Sequence, residues 1–181
     1  MRRVMMILAM ATGLAAFMAP AMLCGQASPT PGVNALSAEV QGRYTGVKGF
    51  ILKSAENMPA ENYSYKPTPD IRTFARVVNH VIEAQNRSCG ALNGTSDPKP
   101  APPETADKAT IVDALKASFA ECDKAFDGLN DTSITNMVQV GPAKRSRIAI
   151  AWGTVAHDME QYATLALYMR LKGLVPPSSE K

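Results

Sequence analysis

The chain has 181 residues, of which 46% are hydrophobic and 19% charged, and this ordinary balance excludes wholesale disorder and fits one domain. Its formal net charge of +3 includes Arg2 and Arg3 at the extreme N-terminus, so the remainder is close to neutral and gives no electrostatic basis for binding DNA or RNA. Three cysteines are too few for a small protein built around disulfides.

The N-terminus has the layout of a secretory signal peptide. Arg2 and Arg3 precede the uncharged apolar run Val4–Met18, and small residues follow before a Pro-rich spacer. We therefore predict a signal peptide over residues 1–27 and an exported domain over residues 28–181, in the periplasm or outside the cell. Contact with the membrane is expected only through the signal segment.

Two other interpretations of this segment remain open. The residues before Cys24 resemble a bacterial lipoprotein box, in which Cys24 would carry the lipid. An uncleaved anchor is the second alternative, because about 20 apolar residues are enough to span a bilayer. Each interpretation still exports the domain that follows.

Apolar residues at helical spacing predict four helices in the rest of the chain. The predicted helices run from Val33 to about Asn57, from the N-cap Thr73 to Gly90, from Lys108 to Leu129, and from about Ala143 to Lys172. In the fourth helix the predicted core stripe is Ile148, Trp152, Val155, Met159, Tyr162, Leu165 and Met169. No segment shows the alternation typical of an exposed strand.

A proline-rich crossover, Ala91–Asp107, separates the second and third helices. A short turn would return the chain antiparallel, whereas a crossover of this length can carry it back to its starting end. The sequence thus predicts a four-helix bundle in which helices two and three run parallel.

Cys89 and Cys122 then fall toward the same end of the bundle. An exported domain folds in an oxidising compartment, so we expect the two cysteines to form a disulfide that closes the crossover. The alternative is a pair of small buried thiols.

Both histidines of the chain, His80 and His157, lie inside predicted helices. Glu83 follows His80 by three residues, and Glu160 and Gln161 follow His157 by three and four, spacings that share a helix face. Facing helices of a bundle can hold a metal in this way. The pattern predicts one divalent-metal site (zinc, nickel or iron) using His80 and His157, completed by Gln161 or Glu160 and water. The alternative is two half-buried histidines paired with backbone or with each other.

Two segments resemble the beginning and the end of one protein family. They are MPAENYSYKPTPDIRTFARVVNHVIEAQ at Met58–Gln85 and WGTVAHDMEQYATLALYMRLKGLVPPSS at Trp152–Ser179. With the spacing between them, they resemble the DinB-like (DinB/YfiT) superfamily over nearly the whole mature chain. The resemblance implies an all-α four-helix bundle with an up-down-down-up course and a long crossover between helices two and three.

The resemblance also implies a metal site made of three histidines, one on helix two and two on helix four. His80 matches the first and His157 the second, but Gln161 stands where the third is expected. A glutamine oxygen is a weaker ligand than imidazole for zinc or nickel.

Known members of the family include thiol transferases and thiol-dependent isomerases. We therefore expect a metal-dependent hydrolase or transferase acting on a small molecule, in a family that often forms homodimers. The alternative is a metal-free bundle with a degenerate metal site that binds a small ligand or a partner protein.

A short basic cluster, Lys144, Arg145 and Arg147, opens the predicted fourth helix. Cations there oppose the helix dipole, so the cluster either serves an anion or forms a solvated surface.

Overall fold

The computed structural model describes residues 34–95 and 97–181. The predicted signal peptide at residues 1–27, the lipoprotein box at Cys24 and the alternative anchor lie outside the described residues. None of the described helices has the length and apolar character needed to cross a membrane.

Four helices and one small hairpin form the described domain. The helices are α1 (Ala35–Asn57), α2 (Phe74–Leu92), α3 (Lys108–Asp127) and α4 (Arg147–Leu171), and the hairpin consists of β1 (Met137–Val140) and β2 (Ala143–Ser146). Short 3-10 helices lie at Ala60–Asn62 and Pro177–Ser179. The prediction of a four-helix bundle is confirmed.

The course of the bundle is up-down-down-up, as expected. α3 and α4 each pack against both α1 and α2, which places α1 and α2 at opposite corners. The pairs Gln85–Ser118 and Cys89–Cys122 advance together along α2 and α3, so these two helices are parallel. The crossover after α2 makes this arrangement necessary, because it returns the chain to the end from which α2 started.

The disulfide between Cys89 and Cys122 is present and ties α2 to α3. The two Cα atoms are 4.9 Å apart, the sequence separation is 33, and both residues are fully buried. Such a crosslink typically stabilises a fold by about 2–4 kcal/mol, mainly by restricting the unfolded chain.

Side-chain caps fix where the helices begin. Thr73, Asp107 and Ser146 each accept a hydrogen bond from the backbone N–H three residues on. α1 has no such cap of its own, and Asp131, from the segment after α3, accepts from the backbone N–H of Ser37 at 2.9 Å instead.

The predicted start of helix four is wrong. Residues 143–146 form strand β2, and Ser146 caps α4 immediately afterwards. Gly141, with φ of +56°, makes the tight turn that joins β1 to β2. The expectation that Gly90 ends helix two is also wrong, because α2 continues to Leu92.

The predicted core stripe of α4 is partly wrong. Val155, Leu165 and Met169 are buried as expected, but the side chains of Trp152 and Met159 are 51% and 54% exposed. α4 carries apolar residues on most of its circumference, so periodicity alone does not select the face that packs inward.

Candidate metal site between α2 and α4

The structure brings His80 of α2 and His157 of α4 into direct contact. Their Nε2 atoms are 3.1 Å apart, and the two rings meet edge to face with centroids 4.9 Å apart. The side chains are 30% and 26% exposed, so the pair lies at the edge of the core and is open to solvent.

This Nε2–Nε2 distance allows two chemical states. Without a metal, one ring donates its N–H to the bare nitrogen of the other. With a metal, two imidazole nitrogens at about 2.0–2.1 Å from a tetrahedral ion lie about 3.3 Å from each other. The pair therefore needs little movement to act as two adjacent ligands.

The surroundings of His80 favour its neutral form, which is the form that binds metals. Burial lowers the pKa of the His80 imidazole, and the positive charges of Arg72 and Arg76 and the neighbouring His157 ring lower it further. Glu83 acts in the opposite sense, with Oε2 3.9 Å from His80 Nδ1, but its carboxylate is held by Arg76 through two hydrogen bonds of 3.0 Å.

A buried polar chain crosses three helices and ends beside His157. Ser118 of α3 donates to Gln85 Oε1 of α2 at 2.7 Å, and Gln85 Nε2 donates to Asp158 Oδ2 of α4 at 2.9 Å. All three side chains are buried, and Asp158 has no exposed surface. The chain fixes the Asp158 carboxylate, since each member restricts the rotamer of the next.

This series of hydrogen bonds ends at Asp158 and does not include His157. Asp158 Oδ1 and His157 Nδ1 are 3.5 Å apart, and both are buried without a hydrogen-bond partner in the part of the protein that the structure describes. Burial raises the pKa of the Asp158 carboxyl, although the facing His157 imidazole and the hydrogen bond from Gln85 work against this. Metal-binding histidines usually donate their second ring N–H to a carboxylate or carbonyl, and Asp158 Oδ1 is in position for that role.

Gln161 and Glu160 lie one turn further along α4. Both line a cleft of about 450 Å³ that also includes Arg72 and Tyr168. Gln161 is buried and Glu160 is exposed. Within the described ranges, no cluster of three or more His, Cys, Asp or Glu side chains could hold a metal. The structure brings the two histidines together, whereas Gln161 and Glu160 line a cleft that neither histidine borders.

A second cleft, of about 230 Å³, opens on the other side of His157. Arg87 of α2 and Arg145 of β2 border it, and Thr154 lines it beside His157. His157 thus borders the smaller cleft, and the larger cleft lies one turn further along α4 beside Gln161.

Sequence reasoning missed the polar chain behind the site. The adjacent His157-Asp158 pair in an apolar helix was a visible signal, because a carboxylate at a core position requires partners. Gln85 and Ser118 gave no comparable signal, since their partners lie on other helices.

Comparisons with known proteins agree with this fold. A family model described as the DinB superfamily matches residues 51–165. A DinB-like protein from Bacillus cereus superposes with a TM-score of 0.65 at 17% identity, covering 77% of this chain and 95% of its own. A DinB-like protein from Bacillus subtilis gives a TM-score of 0.59 at 13% identity, covering 75% of this chain and 92% of its own.

A further solved structure with the same fold is a histidine-to-alanine mutant of a mycothiol-dependent maleylpyruvate isomerase. Its TM-score is 0.60 at 10% identity, and the match covers 71% of this chain and 60% of that protein. No curated protein matches the chain. At these identities the structural likenesses establish the fold alone.

Proposed function

The chain belongs to the DinB superfamily, and on that basis we propose that it binds one divalent metal ion in the groove between α2 and α4 and acts on a small molecule. His80 and His157 are the two imidazole ligands, Gln161 is a weaker third ligand, and Glu160 is an alternate ligand from the same cleft. The observation that carries the proposal is the approach of the two Nε2 atoms to 3.1 Å at a solvent-accessible edge of the core.

When bound, a zinc, nickel or iron ion with an open position acts as a Lewis acid and lowers the pKa of a water or thiol placed there. The residues of the chain orient the ligands, hold a proton and bind the substrate. The Asp158 carboxylate faces His157 Nδ1 at 3.5 Å, and a small approach would let it accept a hydrogen bond from Nδ1–H, which leaves Nε2 free to bind the metal. The exposed Glu160 carboxylate is available to hold a proton, and the two clefts receive the substrate.

The reaction class that fits this arrangement is hydrolysis or group transfer on a small molecule. A mycothiol-dependent maleylpyruvate isomerase shares this fold, which is consistent with proposing an enzyme that acts on a small molecule. We also propose that the domain acts after export, and the Cys89–Cys122 disulfide supports an oxidising compartment.

A second candidate function follows from the same contact. In this alternative, the 3.1 Å distance is a direct hydrogen bond between His80 and His157. The ligands are then too few and too weak to retain a metal, because Gln161 stands at the position where the resemblance implies a third histidine. The protein is then a metal-free bundle that binds a small ligand or a partner in this groove.

Metal titration of defined variants distinguishes the two functions. Zinc and nickel affinity is measured by competition with a chromophoric chelator for residues 28–181 and for His80→Ala, His157→Ala and Gln161→His. We expect tight binding to be lost in both alanine variants while the fold is retained. Gln161→His should bind more tightly, because it replaces an amide oxygen with imidazole.

The control is Gln139→His, which adds a histidine to the exposed face of β1. It should leave the affinity unchanged. Equal affinities across wild type, His80→Ala and His157→Ala would contradict the proposed site.

A further inference from the structure

The cleft of about 230 Å³ beside His157 has two arginines at its border. Arg87 projects from α2 and Arg145 from the hairpin, while Ala84 and Gly153 leave space between the helices. A Cβ added at Gly153 would meet no atom within 4 Å, so the cleft is open at this point.

The hairpin register explains how Arg145 comes to border the cleft. Arg145 pairs with Val138 across the antiparallel strands, and directly opposed residues point to the same face. Val138 and Val140 pack against the core, so this is the face turned toward the bundle. Lys144 lies on the opposite face, because successive strand residues alternate.

Neither arginine forms an ion pair with a carboxylate of the described residues. The ion pairs of Lys and Arg within residues 34–95 and 97–181 involve other cations: Lys48, Lys53, Arg76, Lys116 and Lys124. Arg87 and Arg145 therefore have no carboxylate partner in this part of the chain. A guanidinium group binds carboxylate and phosphate oxygens through paired N–H donors, and two such groups on one cleft strongly favour an anion.

The polar groups in the wall of the cleft and its volume limit which ligands it can bind. The Thr154 hydroxyl lies 3.0 Å from that of Ser88, and His157 also lines the cleft. Sites for drug-sized ligands occupy about 300–1,000 Å³, so this cleft fits one end of a small molecule.

We propose that the cleft between Arg87, Arg145 and His157 binds the carboxylate or phosphate group of a small acidic molecule, and that this molecule is the substrate of the neighbouring histidine site. The role as a substrate site rests on the proposed function, whereas the binding of the anion does not require the metal. The three members of the basic cluster thereby have different roles: Arg145 serves the anion, Lys144 is solvated, and Arg147 donates a hydrogen bond to the carbonyl oxygen of Leu92.

The test compares the melting temperature of the mature protein, stripped of metal, in phosphate, in succinate and in chloride at equal pH and ionic strength. At a tenfold excess over Kd, we expect phosphate or succinate to raise Tm by about 4 °C over chloride. A response to phosphate assigns a phosphorylated ligand, and a response to succinate assigns a carboxylate. Arg87→Gln and Arg145→Gln should each lose most of the rise.

Lys144→Gln is the matched control, since it removes the same charge from the other face of the same strand, and it should keep the rise. The proposal is overturned if neither anion raises Tm above chloride, or if the double variant Arg87→Gln/Arg145→Gln responds as wild type does. A protein that binds no metal but shows the arginine-dependent shift would refute the metal function and retain the anion site.

Discussion

Around the His80–His157 pair, the sequence predicted the spacing of residues along each helix. It did not predict the contacts between the two helices. The positions of Glu83, Glu160 and Gln161 relative to the histidines follow from helical geometry and could be predicted. The approach of the two Nε2 atoms to 3.1 Å depends on how α2 and α4 are offset, which periodicity does not specify. The role of these residues as metal ligands remains a prediction.

The Asp158 carboxylate should lower stability while supporting metal binding. Burial raises the pKa of Asp158 in the folded protein, so the fold favours the protonated carboxyl. This stabilisation is complete below the unfolded pKa of 3.8 and is lost as pH rises through the folded pKa. Asp158→Asn should therefore raise the free energy of unfolding of the metal-free protein at pH 7. The gain should disappear below pH 3.8. Urea unfolding at several pH values measures this.

The same substitution should weaken metal binding by about 10–100-fold. An asparagine amide facing His157 Nδ1 donates a hydrogen bond to that nitrogen and so favours the tautomer with the histidine proton on Nε2, the ligating atom. Chelator competition measures the affinity, and Asp113→Asn, an exposed position on α3, is the control. Unchanged affinity in Asp158→Asn would show that Asp158 does not orient His157.

At the scale of elements, the capped start of α2 was predictable and the hairpin was not. Thr73 follows a proline-rich loop and precedes an apolar stripe, so the start of α2 was visible in the sequence. β1 and β2 have four residues each, too short for alternation to stand out, and Ala143–Ser146 read as the beginning of α4. Short strands of this kind are stable only through their packing on the bundle.

Because Asp131 caps α1, the stability of the fold should decrease at acidic pH. Hydrogen bonds from the Ser37 hydroxyl and from the backbone N–H groups of Ser37 and Leu36 lower the pKa of Asp131. A lowered folded pKa gives stability that is present above the unfolded value of 3.8 and is lost as pH falls through the folded pKa. Asp131→Asn should lower Tm at pH 7 and have little effect at pH 2, as measured by circular dichroism. A loss in Tm of the same size at both pH values would contradict an ionic contribution.

The disulfide should contribute about 2–4 kcal/mol to the free energy of unfolding. Cys89→Ala with Cys122→Ala should lose that amount in urea titration and keep the helical circular-dichroism spectrum, since both side chains lie in the core. The control is the wild-type protein titrated with urea in the presence of a reductant. Its free energy of unfolding should match that of the double variant. If removal of the disulfide has no effect, the crossover is held by its other contacts.

At the scale of the whole molecule, the course of the bundle was predictable because one physical constraint determines it. The crossover between α2 and α3 is too long and too rich in proline for a tight turn, so these helices run parallel. Which residues of α4 face inward was less predictable, since apolar residues surround the helix. Trp152 is 51% exposed, whereas Phe119 of α3 is 1% exposed.

Trp152 should therefore contribute little to stability. Trp152→Gln is expected to change the free energy of unfolding by no more than about 0.5 kcal/mol, as for other exposed positions. Phe119→Ala, a core substitution, should cost about 3–5 kcal/mol. Urea unfolding measures both, and acrylamide should quench Trp152, the single tryptophan of the chain, efficiently in the native wild type. A large loss in Trp152→Gln would mean that another surface covers this face.

The central claim is that the α2–α4 groove holds a metal despite Gln161. The most direct test is the metal content of untagged protein, residues 28–181, purified without chelator and measured by mass spectrometry. We predict close to one zinc, nickel or iron per chain, and loss of that metal in His80→Ala. A metal-free protein that also fails to take up added zinc or nickel would contradict the claim and favour the metal-free binding bundle.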